Sequence, residues 1–381
     1  MEIWKNLFKN KWGLYNSALL IGFINTMLFA TDSPWSVFSG LRNWGLHLLE
    51  LIPRFPDVAQ RSPLEFTGSV MNIAFLLGAF SSSMLANEFS LRIPTPREAA
   101  KGIIGGVLMG IGANFSIGCN VGGFYSSISA LSVSGLCMML GLFLGIILGL
   151  KYLKWEMKKN NNKTVKPGPA FSPPPAFQII VGVCVFLSGI FVIPYYYDYL
   201  GLSIAGVIFC LAFLLGIVCQ RSKFCFLRIF REPFLSGNAE MTKAAIVAFL
   251  VSISGFSILK FVEIKDLTAQ VASSAGLPAI IGGFIFGLGM VRAGSCASAS
   301  LWRAGEGFIK LWLVLLSFAL SAAGTHLILQ LKFEYSYVRR MFLPDVFNSW
   351  SMALLLVFGI MILWYWIVSW NERTLKLVMQ K

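Results

Sequence analysis

Three cysteines stand out in this chain by their settings. Cys119 closes an apolar run crowded with glycine, Gly105–Phe124, GGVLMGIGANFSIGCNVGGF. Cys296 lies in Gly282–Ser300, GGFIFGLGMVRAGSCASAS. Gly105, Gly106, Gly110, Gly112 and Cys119 map onto Gly282, Gly283, Gly287, Gly289 and Cys296 at a constant offset of 177 positions. Five identities at one offset, a cysteine among them, read as an internal repeat. The blander alternative is two unrelated spans with small residues for packing. Cys225 sits in QRSKFCFLR with Arg221, Lys223 and Arg228 around it. Positive neighbours make a thiol acidic and reactive, although a plain basic loop would look the same.

An unperturbed thiol, with a pKa of about 8.5, is mostly neutral near pH 7 and donates weakly to a passing anion. Its sulfur is soft and polarizable, which suits a solute that itself carries sulfur or selenium. Weak contacts also permit release. Clustered glycine lets a helix break, and a break at membrane depth is tolerated where it is buried or lines a wet cavity. The free N–H groups of the next half-helix can receive an anion. Gly118, Cys119 and Asn120 with Gly122 and Gly123 form one expected pocket. Cys296 with Ser298 and Ser300 forms the other, and Asn120, Ser126, Ser298 and Ser300 add neutral donors. Ser90, in Phe89-Ser90, takes the first-half place that Cys225 takes in Phe224-Cys225. Cys219 lies close enough in sequence to Cys225 to motivate a competing reading, a membrane thiol–disulfide oxidoreductase. Cys137, Cys184 and Cys210 read as small apolar fillers.

The elements that must hold these groups are membrane spans. The chain has 381 residues, 56% hydrophobic and 13% charged, with a mean hydropathy of +0.73. Lipid-facing as well as packed surfaces must be apolar to account for that balance. The fold class expected is all-α and polytopic, with 9–10 transmembrane helices in two pseudo-symmetric, inverted halves and broken or re-entrant Gly/Cys helices. The net charge of +14 reads as lysine and arginine collected in cytoplasmic loops, not as nucleic-acid binding. Spans are expected near 13–31, 64–87, 102–119, 135–150, 176–194, 201–219, 244–259, 277–295, 307–330 and 348–370. The lead MEIWKNLFKNKWG resembles a signal peptide but reads as the start of an uncleaved first span.

The organisation expected is an N-terminal span and interfacial helix over 1–63, a first repeat half over 64–150 and a cytoplasmic Lys/Pro-rich linker over 151–175. A second half over 176–330 and a C-terminal span and tail over 331–381 complete it. Tyr195, Tyr196, Tyr197 and Tyr199 fit an aromatic belt, and Trp35–Ile52 an interfacial amphipathic helix. Ten spans leave both termini in the cytoplasm and make the two glycine–cysteine copies antiparallel, the usual frame for a solute site near the bilayer midplane. One coincidence resists that scheme. Ala74–Gly78 and Ala212–Gly216 are both AFLLG, yet their spans come out parallel.

Three phrases together resemble the YeeE/YedE family of bacterial membrane proteins, associated with thiosulfate uptake. They are GIGANFSIGCNVGGF, QRSKFCFLRIFREP and GLGMVRAGSCASASLWRAGEG. The stretch LSVSGLCMMLGLFLGIILGLKYLKWE is most similar to the YedE subgroup, associated with selenium metabolism. The resemblance covers most of 66–330. It implies an inner-membrane importer with a pathway lined by a few essential cysteines, which by motif are Cys119, Cys225 and Cys296. Ser90 departs from the thiosulfate members, which have cysteine there, and leaves room for a selenium compound. The partners implied are a small anionic sulfur or selenium solute, the lipid bilayer and a cytoplasmic sulfur- or selenium-handling protein. Nucleic acid is not among them. Two histidines are too few for a histidine-rich metal site, and no GxxxxGK[ST] phosphate loop occurs. No cofactor, metal or enzymatic activity is expected.

Overall fold

A computed structural model describes residues 10–53, 58–59, 61–159, 168–194, 196, 203–332 and 340–378. Lys5, Lys9, the centre of the Lys/Pro-rich linker, Tyr195, Tyr197, Tyr199 and Arg339 lie outside the described residues. Among those described, nine helices are long and apolar enough to cross a membrane, or ten if the bent pair Pro96–Phe115 and Asn120–Ser129 counts as one span. The protein is therefore an all-helical, multi-pass membrane protein. One short antiparallel pair, β1 (Leu91–Arg92) with β2 (Ala170–Phe171), is its only named sheet among the described residues.

Most of the helices fall into four similar units, each a long helix, a break, a short helix and a second long helix. The first unit is α1 (Leu14–Thr31), α2 (Phe38–Glu50) and α3 (Thr67–Leu85). The second is α4 (Pro96–Phe115), α5 and α6 (Val133–Lys159). Here α5 is the π-helical turn Asn120–Ser126, which runs into Ser127–Ser129. After the peripheral α7 (Pro175–Pro194) come α8 (Ser203–Ser222), α9 (Phe226–Leu235) and α10 (Glu240–Phe261). The fourth unit is α11 (Leu277–Ala293), α12 (Ala297–Gly305) and α13 (Ile309–Lys332). A short α14 (Leu343–Phe347) and α15 (Trp350–Thr374) complete the chain.

The glycines explain how these units lock together. A Cβ on Gly105 would lie 2.5 Å from Ala293 N, and one on Gly112 would lie 2.6 Å from Gly282 O. Rising numbers on α4 thus meet falling numbers on α11, so the two glycine–cysteine copies run antiparallel. Gly102, Gly106 and Gly110 face Lys310, Ser317 and Ser321 in step, so α4 and α13 run parallel. Gly141, Gly145 and Gly149 face Ile280, Phe284 and Val291, which makes α6 and α11 parallel too. Backbones this close gain dispersion contacts that larger residues would forbid.

The AFLLG coincidence has a different origin. Gly78 abuts Phe213, Gly216 abuts Phe75, and Ser82 Oγ donates to Gln220 Oε1 at 2.8 Å. At the other end Tyr196, just before α8, donates to Leu64 O, just before α3. The two identical pentapeptides belong to parallel helices packed on each other. The helix expected over Trp35–Ile52 is α2, which begins at Phe38 and seats Gly40 on Gly68 and Gly45 on Ala319.

The larger departure from expectation lies after α8. The stretch 220–243 reads as a basic loop, but most of it is helix. Phe226, Ile229, Phe230 and Phe234 form a buried face of α9, with Arg228 and Arg231 on its less buried side.

Candidate functional site

The three cysteines occupy equivalent places. α4, α8 and α11 each end at a left-handed residue: Ile117 (φ 51°), Lys223 (φ 54°) and Gly294 (φ 75°). In each, the next N–H closes a bond to a carbonyl five residues back. Gly118 N donates to Ala113 O (2.9 Å), Phe224 N to Cys219 O (3.1 Å) and Ser295 N to Met290 O (3.2 Å). This is the Schellman C-cap, which satisfies the last carbonyls of a helix. One residue further stands Cys119, Cys225 or Cys296, each in extended conformation and each the N-cap of a short helix. A thiol is thereby placed beside the unpaired N–H groups and the positive end of a helix dipole. At Cys296 the sulfur accepts from Ala299 N at 3.4 Å.

All three thiols are buried, and two of them meet. Cys225 Sγ lies 3.7 Å from Cys296 Sγ, a thiol–thiol hydrogen bond, and Cys296 Sγ lies 3.5 Å from Ser298 Oγ. Asn120, next to Cys119, accepts from Ala297 N at 3.3 Å, so the start of α5 meets the start of α12. The Asn120 amide nitrogen and the Ser300 hydroxyl are buried without a hydrogen-bond partner. Buried donors are ordinarily paired, so unpaired ones beside thiols mark places where a ligand would be stabilised. Gly118 packs on Gly123, and Gly122 faces Ser36; any side chain there would push these turns apart.

A cavity of about 120 Å³ opens beside the thiol pair, lined by Lys223, Cys225, Arg228, Arg231, Trp302 and Arg303 among others. With water occupying about 30 Å³ in the liquid, the cavity matches a small oxyanion in scale. Arg228 pairs with Glu232 at 2.5 Å. Arg231 and Arg303 make no ion pair among the described residues, so the cavity carries uncompensated positive charge. Trp302 is fixed by its indole N–H to Phe224 O at 3.0 Å.

The structure thus brings together Cys225, Cys296, Ser298 and Arg228, and joins Asn120 to the start of α12. Ser90 does not meet the thiols. It lines a second cavity, of about 550 Å³, with Glu88, Arg92, Ser172 and Glu306. That cavity adjoins the first through Lys223, which lines both. The expected proximity of Cys219 and Cys225 takes a different form. Cys219 offers its carbonyl to the turn, and the sulfur beside Cys225 is that of Cys296. Arg303, Trp302 and Glu306 are site residues that the repeat and the cysteines do not single out. Their signal lies in LWRAGEG, polar residues immediately after an apolar glycine–cysteine phrase.

Comparison with known proteins identifies the family. A family model described as sulphur transport matches residues 1–148 and 221–381, leaving out the linker, α7 and nearly all of α8. A protein of Escherichia coli named "Probable transporter YedE" is 28% identical over 323 residues, 80% of this chain and 78% of its own. The thiosulfate transporter TsuA of Spirochaeta thermophila is 38% identical over 113 residues, 30% of this chain and 34% of its own. The TsuA of Escherichia coli is 36% identical over 110 residues, 29% and 31% of the two chains. Helix breaks capped by cysteine, a buried thiol pair and a basic cavity occur here in a chain most of which fits one family's pattern, and the chain belongs to that sulphur-transport family, YeeE/YedE.

Proposed function

We propose that this protein carries a small sulfur- or selenium-containing anion, thiosulfate-like in size and charge, across the inner membrane with both termini in the cytoplasm. The anion meets both thiols and arginines along its path. Arg228, Arg231 and Arg303 draw it into the small cavity, where Cys225 and Cys296 offer S–H donors and polarizable sulfur. Cys119, Asn120 and the N–H groups between Gly118 and Gly123 receive it on the other side of the α5–α12 junction. Ser298 holds the Cys296 thiol in place, and Ser90 lines the wider cavity on the other side of Lys223. Each contact is individually weak, so the anion is handed on instead of being trapped. The observation that carries this reading is the 3.7 Å approach of Cys225 to Cys296 beside a cavity with unpaired arginines.

The sulfur class draws support from relatives named as thiosulfate transporters. Serine in place of cysteine at position 90 leaves a selenium species as a candidate beside thiosulfate. The transporter reading draws its support from relatives named as transporters, while the thiol next to Cys225 is Cys296 and not the Cys219 that motivated an oxidoreductase reading.

The test is uptake of radiolabelled thiosulfate and of selenium analogues by cells lacking their own sulfur importers. Replacing Cys119, Cys225 or Cys296 by alanine should lower uptake about tenfold or more, the loss of a hydrogen bond to a charged group. Full uptake by the triple alanine variant would overturn the thiol role.

A further inference from the structure

The two cavities meet at one side chain. Lys223 lines the small cavity with Cys225 and the wide one with Ser90, but its ammonium is already engaged. It is held by Glu88 Oε2 at 2.7 Å and by Glu306. Gln220 Nε2 donates to the same two carboxylates, at 3.1 Å to Glu88 and 2.9 Å to Glu306. Arg221 reaches Glu88 at 3.3 Å. Lys223 belongs to the turn that presents Cys225, and Glu306 closes the helix that begins after Cys296. The wall between the cavities is therefore a charge cluster tied to both thiols.

We propose that Lys223, Glu306 and Glu88 form an ionic gate between the cavities, at which a doubly charged anion replaces Glu306 as the partner of Lys223. The proposal rests on the transport reading above. With its charge compensated by carboxylates, Lys223 does not bind an arriving anion unless that anion competes with Glu306. A singly charged anion offers the ammonium no more Coulomb attraction than the carboxylate it would displace. A doubly charged one offers about twice as much. Gln220 keeps a hydrogen bond to Glu306 when Lys223 turns away, which limits the cost of leaving that buried carboxylate unpaired. The gate thus selects for dianions and excludes monoanions of similar size, while the thiols beside it recognise the chalcogen.

Two readouts on the full-length protein in proteoliposomes test this. The first is the rate at which Cys225, with the other cysteines replaced, is labelled by an anionic methanethiosulfonate relative to a cationic one. Glu306→Gln should raise that ratio about tenfold, the equivalent of roughly 1.4 kcal/mol, and Glu306→Asp should leave it near the unsubstituted value. An unchanged ratio in Glu306→Gln overturns the gate. The second is uptake with all cysteines present. Glu306→Gln should admit thiocyanate, a sulfur monoanion that the gate should bar from the unsubstituted protein, and Lys223→Met should lose thiosulfate uptake that Lys223→Arg retains. Continued exclusion of thiocyanate by Glu306→Gln also overturns the gate. If no chalcogen anion is carried but the labelling ratio shifts, the gate stands and the transport reading falls. Thiol-dependent uptake with an unmoved ratio leaves the transport reading standing and removes the gate.

Discussion

Four helices, α3, α4, α8 and α11, end alike and continue differently. Asn87 after α3 is left-handed (φ 57°), and Glu88 N closes the same bond to Ser83 O, 2.9 Å, that the other three turns make. After α4, α8 and α11 the chain goes on to a cysteine and a short helix. After α3 it goes on to Glu88, Phe89 and the strand Leu91–Arg92. The shared turn is a way to stop a helix with its carbonyls satisfied. The residue that comes next decides what the turn contributes. Three turns supply a thiol at a helix N-terminus, and the fourth supplies the carboxylate that holds Lys223.

The largest effect that separates these turns is chemical. A mild two-electron thiol oxidant such as diamide should join Cys225 to Cys296, because 3.7 Å needs only a small shift to reach a bond of about 2.05 Å. Uptake should then be lost and should return with dithiothreitol. Cys296→Ser should abolish the cross-link, as read by non-reducing peptide mapping. The α3 turn carries no thiol and should be untouched. A cross-link forming elsewhere, with Cys225 still free, would break the pairing on which the comparison rests.

Next in size is the frame that sets the turns opposite each other. Gly112→Val would drive a side chain into Gly282 O and Phe286 of α11. Overpacking of this kind costs about 1–3 kcal/mol, and thermal unfolding in detergent should report it. Gly324, in α13, has nothing within 4 Å of its Cβ position. Gly324→Ala should therefore be neutral or gain up to about 1 kcal/mol. Equal losses at the two sites would mean that helix glycine matters here through backbone freedom and not through contact.

Much of this frame is legible in the residues. Long apolar runs mark the spans, and the glycines at a 177-residue offset mark the antiparallel α4–α11 pair, since close backbone contact demands small residues on both partners. The parallel α3–α8 contact is visible as AFLLG but not interpretable from sequence, because a repeated phrase does not say whether its copies are symmetry mates or neighbours. The helix α9 is hidden. Its apolar period at Phe226, Ile229, Phe230 and Phe234 is interleaved with arginine and ends in Pro233-Phe234, so charge outweighs periodicity. Cys119, Cys225 and Cys296 announce the breaks that they cap. The left-handed residues before them do not, since Ile117 and Lys223 are types that rarely adopt that conformation. Glu88 carries no local signal, and Glu306 shows only as a polar residue in LWRAGEG; their pairing comes from meeting Lys223 across the fold.

The fourth turn differs from the rest in its pH dependence. Burial raises the Glu88 carboxyl, but the hydrogen bond and charge of Lys223, with Arg221 and Gln220, outweigh it and hold the group below its ordinary value. A depressed carboxylate contributes stability that is fully present above the unfolded value and is lost as pH falls through the folded one. Lowering pH from neutral to about 3 should therefore destabilise the unsubstituted protein more than Glu88→Gln. Melting curves that shift equally for both would remove Glu88 from the cluster's energetics.

The smallest effect tests whether the four turns are one device. Asn87 is left-handed at a helix end, a conformation that asparagine and glycine adopt readily and alanine does not. Asn87→Gly should change stability by a few tenths of a kcal/mol at most, and Asn87→Ala should cost about 1 kcal/mol. Gly294→Ala should cost a similar amount for the same reason, because no atom lies closer to its Cβ position than Lys310 Nζ at 3.9 Å. Parallel losses in the two alanine variants, measured as shifts in melting temperature, would place the thiol-bearing and carboxylate-bearing turns on one footing. A loss at Gly294 with none at Asn87 would mean that the α3 turn is held by the ion pairs of Glu88 and not by its backbone.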